Sequence, residues 1–175
     1  MGFFKPEEYV RSVLDIQPDL LVSAGFRAVV LDLDNTLLPR DSQDIPEELA
    51  AWARSLVSAG LQVCLLSNEW HRSVFDYARQ LDMPLIYKAM KPWPTAFRLA
   101  RSRVGGRRRD SVHIGDQMVT DVWGAHLAGM KVILVDPLSE KDLPHSMFLR
   151  KVEHPFRKGL EPTDRLVSMA GEDRR

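Results

Sequence analysis

The chain has 175 residues, 45% of them hydrophobic and 27% charged, and its formal net charge is zero. That length suits one domain with a sizeable buried core. The charge balance excludes a global field steering the molecule onto nucleic acid or an anionic membrane.

Taken in chain order, Pro6 to Leu14 predicts a short helix ahead of the first strand. Arg27–Leu33 is nearly all apolar and predicts a strand covered on both faces. Residues 37–45, LLPRDSQDI, predict a loop. Pro46 then opens a helix to about Ala59, with Leu49, Ala53, Leu56 and Val57 at helical spacing and Gly60 ending it. Leu61–Ser67 predicts a second buried strand, and residues 70–81 a helix with Val74, Tyr77, Ala78 and Leu81 on one face. Leu85–Tyr87 reads as a short strand, and Pro94 to about Val104 as a helix closed by Gly105 and Gly106. Val112–Ile114 is a strand, Gln117–Leu127 a helix closed near Gly129, and Lys131–Val135 the last strand. This alternation predicts an α/β fold, a mostly parallel sheet covered by helices on both faces. A single domain spans residues 1–175, with a core over about 25–137 and a less regular tail over 138–175.

No apolar run approaches the ~20 residues of a membrane-spanning helix, and Glu7 and Glu8 stand where a signal peptide would carry its apolar stretch. Cys64, the only cysteine, lies within VCLL and reads as a small core residue. The expectation is a soluble, cytoplasmic protein, with a peripheral place at a membrane as the alternative. Arg98, Arg101, Arg103, Arg107, Arg108 and Arg109 crowd one segment. They read as a solvated helix face and turn, with an anionic partner as the alternative.

In open α/β sheets ligands bind beyond the carboxyl ends of the strands. Strand one ends at Asp32-Leu33-Asp34, strand two at Ser67-Asn68, Lys91-Pro92 follows the third, and Gly115-Asp116 closes the fourth, with Asp121 beyond it. Two carboxylates at the edge of a buried strand repel each other and are costly to desolvate, so a cation is expected to offset them. Acidic ligands for a hard cation, a hydroxyl and a lysine on one edge are the components of a Mg²⁺-dependent phosphoryl-transfer site. Asp116 also suits the N-cap of the following helix. Thr36 is left open between a loop hydrogen bond and the site. His113, inside a strand, reads as structural; His71, near Ser67, stands where a substrate could be reached; His126, His145 and His154 lack metal-ligand spacing. Trp70, Trp93 and Trp123 read as core or rim packing, and GGRRR at 105–109 is a poor phosphate loop.

The order DLDNT, LLSN, KP and GDQMVTD resembles the four signature motifs of the haloacid dehalogenase (HAD) superfamily of phosphatases. YVRSVLDIQPDLL, IYKAMKP and GDQMVTDVWGAHLAGMKVILVDP resemble its YqeG-type branch, in subfamily IIIA, related to the mitochondrial phosphatidylglycerophosphate phosphatases. The resemblance covers roughly residues 4–155 and implies a HAD-like Rossmannoid core. It implies Asp32 as nucleophile, forming an aspartyl phosphate, and Asp34 as acid–base residue. Mg²⁺ would be held by Asp32, the backbone carbonyl of Asp34, and Asp116. Ser67 and the Asn68 backbone would bind phosphate, and Lys91 would neutralise charge. Asp121 would stand behind the metal or orient Lys91.

The segments from Asp34 to Ser67 and from Ser67 to Lys91 are too short for a cap domain, so an open site is expected. The loop 37–45 and the tail after Asp136 are the expected sources of specificity. The expected function is Mg²⁺-dependent hydrolysis of a phosphomonoester, with phosphatidylglycerophosphate or another bulky ester at a membrane surface as substrate. The alternatives are a nucleotide or sugar phosphate, or a signalling or non-catalytic module with a nucleic-acid or ribosomal partner.

Overall fold

Ala28, Val29, Val30 and Leu31 are fully buried; all apolar, two of the four β-branched, and flanked by apolar layers on both sides, they form the central strand β2 (Ala28–Asp32). A computed structural model describes residues 4–139 and 160–163. Around β2 lie β3 (Gln62–Leu66), β4 (Leu85–Ile86), β5 (Ser111–Gly115), β6 (Lys131–Leu134) and a short edge strand β1 (Glu8–Tyr9). The sheet is six-stranded, in the order β1-β6-β5-β2-β3-β4, and every pairing in it is parallel. The chain progresses to one side of β2 through β3 and β4, and to the other through β5 and β6. The carboxyl end of β2 is therefore the topological switch point where such sheets bind ligands.

Helices α1 (Pro18–Ser23), α2 (Glu47–Ser58) and α3 (Val74–Leu81) contribute Leu21, Leu49, Ala53, Leu56, Val74 and Leu81 to one apolar layer, packed with Val29, Leu31, Val63, Leu65, Val112 and Ile114. On the other face, α4 (Pro94–Arg103) and α5 (Gly124–Leu127) pack Phe97, Ala100 and Ala125 against Val30, Cys64, Leu66, Val132 and Leu134. Cys64 is a free, buried thiol in this second layer, as its apolar context implies. Burial pushes its pKa up to about 12.

Three departures from the sequence reading are local. Residues 6–14 are not a helix. Glu8 and Tyr9 pair with Ile133 and Leu134 of β6, and the Glu7 and Val10 amides donate to Val132 O and Leu134 O at 3.0 Å. Ladder bonds to the sheet edge outweigh a weak helical spacing here. A 3₁₀ turn over Val13–Asp15 follows, with the Ser12 hydroxyl accepting from the Leu14 amide. Then comes α1, with Pro18 in its first turn. The helix expected over 70–81 begins only at Val74. The one expected over 117–127 starts as π-helical turns, Met118–Trp123, before α5.

Between β2 and β3 the chain holds one loop and α2, and between β3 and Lys91 only α3 and β4. Among the described residues, no helix is long and apolar enough to cross a membrane. The tail expected to be irregular lies mostly outside the described residues. Of it, Thr163 donates through its amide to Tyr9 O at 2.8 Å, and Leu160 packs on the second apolar layer.

Candidate active site

Strand alternation sends Val29 and Leu31 to the first layer and Val30 to the second, so Asp32 arrives at the sheet edge on the second side. Beyond it the chain turns sharply. Asn35 takes a left-handed backbone, φ 65°, which asparagine tolerates better than most residues. Its side-chain amide donates to Ser139 O at 3.1 Å and accepts from the Ser139 amide at 2.9 Å. The loop after β2 is thereby clasped to the segment after β6.

Asp32 is 1% exposed. Thr36 Oγ1 donates to its Oδ2 at 3.0 Å, and the Lys91 ammonium donates to its Oδ1. The same ammonium donates to Asp121 Oδ1 at 2.7 Å. Lys91 is held by its main chain as well, its amide donating to Asn68 Oδ1 at 2.7 Å. The Asn68 side chain is thus committed to positioning Lys91. Ser67 Oγ donates to Asp34 Oδ2 at 2.7 Å and accepts from the Glu69 amide at 3.0 Å.

Behind Asp121 stands His113. Its Nδ1 lies 2.8 Å from Val30 O and its Nε2 3.0 Å from Asp121 Oδ1, and its ring meets Phe97 edge-on at 5.0 Å. Val30 O and an ionised Asp121 carboxylate both only accept, so the two contacts together call for a proton on each ring nitrogen. The other carboxylate oxygen of Asp121 accepts from the Gln117 amide at 3.0 Å. Gly115 permits this close packing: a Cβ on it would stand 2.6 Å from Asp121 Cγ. In the π turns both the Asp121 and Val122 amides donate to Gln117 O, at 3.1 and 3.2 Å. This widened winding, a feature found often at functional sites, coincides with the residue that faces Lys91.

Asp32, Asp116 and Asp121 are buried and offer carboxylate oxygens within 4.8 Å of one another. Burial pushes the Asp32 carboxyl well above the usual range; Lys91 opposes this, and Asp121, Asp34 and Asp116 add to it. Burial also raises Asp34, against the pull of Lys91 and Ser67. For Asp121, burial works upward too, but the Lys91 ammonium and the His113 bond outweigh it and hold the carboxyl far below its usual range. Burial works against the charge on Lys91, and Asp121 and Asp32 outweigh it, so the ammonium is held above its ordinary range. Burial lowers His113 despite Asp121. Three buried carboxyl groups crowd one ammonium, and their mutual repulsion helps to raise Asp32. An all-carboxylate donor set fits a hard divalent cation, which would relieve that repulsion.

The structure thus brings Asp32, Asp34, Ser67, Asn68, Lys91, Asp116 and Asp121 to one edge. Two neighbours join them. Thr36 bonds Asp32 directly, and His113, read as structural, is also the third link of the chain Lys91–Asp121–His113. The signal for His113 was its parity, since in register with Val30 it shares the second layer. Elsewhere, Arg98 and Arg101 cap the carbonyls of Leu127 and Ala128, at 3.2 and 3.0 Å. Trp123 stacks on Phe4, while Trp70 and Trp93 are exposed on the surface.

A family model described as HAD-hydrolase-like matches residues 89–141. The chain is 35% identical to the Bacillus subtilis protein named "Probable phosphatase YqeG", over 91% of this chain and 92% of that one. It is 26% identical to phosphatidylglycerophosphate phosphatase 1 of Arabidopsis thaliana, over 93% of this chain but only 51% of the plant protein, so it spans about half of that relative. In three dimensions it is similar to deoxy-D-mannose-octulosonate 8-phosphate phosphatase (YrbI) from Haemophilus influenzae, with TM-score 0.53 and 18% identity, covering 63% of this chain and 70% of that one. A subfamily III A hydrolase from Legionella pneumophila gives TM-score 0.52 and 18% identity over 75% and 74% of the two chains.

Proposed function

The chain belongs to the HAD superfamily of phosphatases, in its YqeG-type branch, and on that premise we propose that it hydrolyses a phosphomonoester by way of an aspartyl phosphate on Asp32. The observation that carries this reading is the Asp32 carboxylate, fixed at the switch point by Thr36 and Lys91 with two further carboxylates close by.

Asp32 attacks phosphorus, an Oδ–P bond forms, and the P–O bond to the leaving alcohol breaks. Asp34 gives its proton to the departing oxygen; its raised pKa keeps that proton available. It then takes a proton from the water that attacks the aspartyl phosphate, releasing inorganic phosphate and restoring Asp32. Ser67 and the Asn68 amide donate to phosphoryl oxygens, and Lys91 offsets charge on the phosphoryl group and on Asp32. Asp121, held by His113 and Gln117, keeps Lys91 charged and aimed. Asp32, Asp116 and the Asp34 carbonyl would hold Mg²⁺, which when bound supplies further neutralisation of the phosphoryl oxygens.

Phosphatidylglycerophosphate is one candidate substrate, supported by the name of the plant relative. A nucleotide or sugar phosphate is the alternative. The test is phosphate release from a panel of such esters with Mg²⁺, with EDTA, and with Asp32→Asn. Release that needs both the metal and Asp32 supports the reading. Stable ³²P labelling of Asp32 without turnover would instead make the protein a phospho-acceptor module.

A further inference from the structure

The amino ends of the strands carry the opposite charge from the catalytic edge. Arg27 precedes β2 and Asp32 closes it, so about 16 Å of strand separates the two. The chain is neutral overall, yet the buried carboxylates Asp32, Asp116 and Asp121 gather at one end. At the other, the segment 98–109 supplies six arginines and holds neither an acidic residue nor a lysine.

A cleft of about 490 Å³ opens there, lined by Arg27, Arg107 and Arg109 with Asp110 as its one carboxylate. The backbone around it is fixed by contacts of its own. A Cβ on Gly106 would stand 2.5 Å from Ala28 Cβ and 2.6 Å from Ser111 Oγ, so the loop lies tight against the starts of β2 and β5. Ser111 Oγ donates to Arg107 O at 2.5 Å, and the Arg107 amide donates to Asp110 Oδ1 at 2.6 Å. The Arg27 amide donates to Asp110 O at 2.8 Å. The guanidinium groups have no such ties: among the described residues, none of the three pairs with a carboxylate. Three like charges around one cavity repel, and an anion seated among them would relieve that repulsion. Beyond the cleft, Arg108 lies against Gly129 and close enough to Arg101 to act on its charge, so the basic surface continues toward α5.

A second cleft, of about 520 Å³, shares Gly25 and Arg27 with the first. Val22, Phe26 and Ala59 give it apolar walls, and Gln62 brings an amide that both donates and accepts. Guanidinium forks match phosphate oxygens in pairs, and arginine in place of lysine suits phosphate recognition. A membrane would meet the arginines with its headgroups and leave the second cleft unused. A duplex hides its bases in the stack. A single strand offers a phosphodiester to the arginines and, one step along, a base to the apolar cleft with its edge against Gln62. We propose that this end of the sheet binds single-stranded nucleic acid, the backbone on Arg27, Arg107 and Arg109 and a base beside Gln62. The site is independent of the catalytic reading, because internal phosphodiesters offer Asp32 no monoester.

The test is fluorescence anisotropy of an RNA decamer labelled on an internal base, with hydroxyl groups at both ends so that it carries no phosphomonoester. Three phosphate contacts predict a slope of log K against log salt of about −2, or roughly 20-fold weaker binding at about 200 mM than at about 50 mM salt. The triple variant Arg27→Gln/Arg107→Gln/Arg109→Gln should weaken binding at least about tenfold at the lower salt and flatten the slope. Gln62→Ala should weaken it about threefold or more and leave the slope alone. A matched duplex should bind less tightly than the strand. All four side chains are exposed, so urea midpoints should stay at the wild-type value; if the triple variant does not fold, Arg27→Gln and Arg109→Gln singly should each reduce the slope by about 0.7. A wild-type protein that ignores the decamer at the lower salt, or an affinity that survives loss of the arginines, would overturn the proposal. So would a duplex bound equally well with Gln62→Ala silent, which would make the face a general anion track. Retention on vesicles of phosphatidylglycerol in phosphatidylcholine, by a protein that does not bind the decamer, would make it a membrane face instead.

Discussion

The two faces of this sheet are built on different principles. Against α1, α2 and α3 the layer is apolar throughout, from Leu21 and Leu56 to Val29, Leu31 and Ile114. Against α4 and the π turns the layer begins in the same way, with Val30, Phe97 and Val122. A polar chain then threads it, running from Val30 O through His113, Asp121 and Lys91 to Asp32. Burial stabilises the first face at about 25 cal/mol per Å² of apolar surface, whatever the pH or ion content. On the second face, burial opposes each charge, and the outcome depends on how those charges are paired. One face holds the fold and the other holds the chemistry, and the strands alternate between them residue by residue.

The largest expected effect removes the chemistry and leaves the fold. Asp32→Asn should lower kcat by at least about 10³-fold. The fold should tolerate it, because one carboxylate of a crowded, desolvated group becomes neutral. A denaturation midpoint below that of the wild type by more than the usual surface-mutation scatter would contradict this account of the second face.

Removing the cation should do the opposite. Lys91→Met leaves Asp32 and Asp121 buried without their shared partner, which for a broken buried pair costs about 3–5 kcal/mol. Leu31→Ala, one position before Asp32 and on the other face, should cost a comparable ~2–5 kcal/mol through the cavity it leaves. Ionic conditions separate the two losses. The Lys91→Met deficit should shrink as pH falls and the carboxylates protonate, or as a divalent cation is added. The Leu31→Ala deficit should follow neither. Urea denaturation across pH and Mg²⁺ concentration measures both.

Magnesium itself should act next in size. An ion that binds only the folded chain stabilises it by about 2.7 kcal/mol at a hundredfold excess over its Kd, so Tm should climb with Mg²⁺ concentration and fall back with EDTA. Asp116→Asn, which takes one carboxylate from the buried trio, should flatten that climb. A Tm indifferent to Mg²⁺ in the wild type would count against a metal on this face.

The first face was legible in the sequence because its signal lies along the chain. Near-continuous apolar runs in β2 and β3 and the 3.6-residue spacing of α2 carry it directly. The site was legible for a different reason: strand ends collect at one edge, and Asp32, Ser67, Lys91 and Asp116 all follow strand ends in the sequence. Less legible were features set by contacts distant in sequence. Glu8 and Tyr9 form a strand only because β6 offers an edge. His113 joins Asp121 only because strand register sets it beside Val30, on the side of the sheet where Asp32 emerges. Patterns along the chain record burial well, whereas polar partnerships across it leave little periodic trace.

The smallest expected effect is also the most discriminating for the second face. Ser67 Oγ donates to Asp34, a bond that favours the ionised carboxylate and so draws its pKa down against the raising effect of burial. If Asp34 must hold a proton to release the alcohol, kcat/KM should fall as pH climbs through that pKa. Ser67→Ala removes the bond, so this alkaline limb should move to higher pH, even as the lost phosphate donor lowers the plateau. The stability linkage has the same origin. A carboxyl raised in the folded chain binds its proton more tightly there than in the unfolded chain, so its contribution to stability declines as pH rises above the ordinary carboxylate value. Ser67→Ala should deepen that decline. A limb that stays in place, or moves down, would mean that a group other than Asp34 sets the profile, and the acid–base role would have to be sought elsewhere on the same edge.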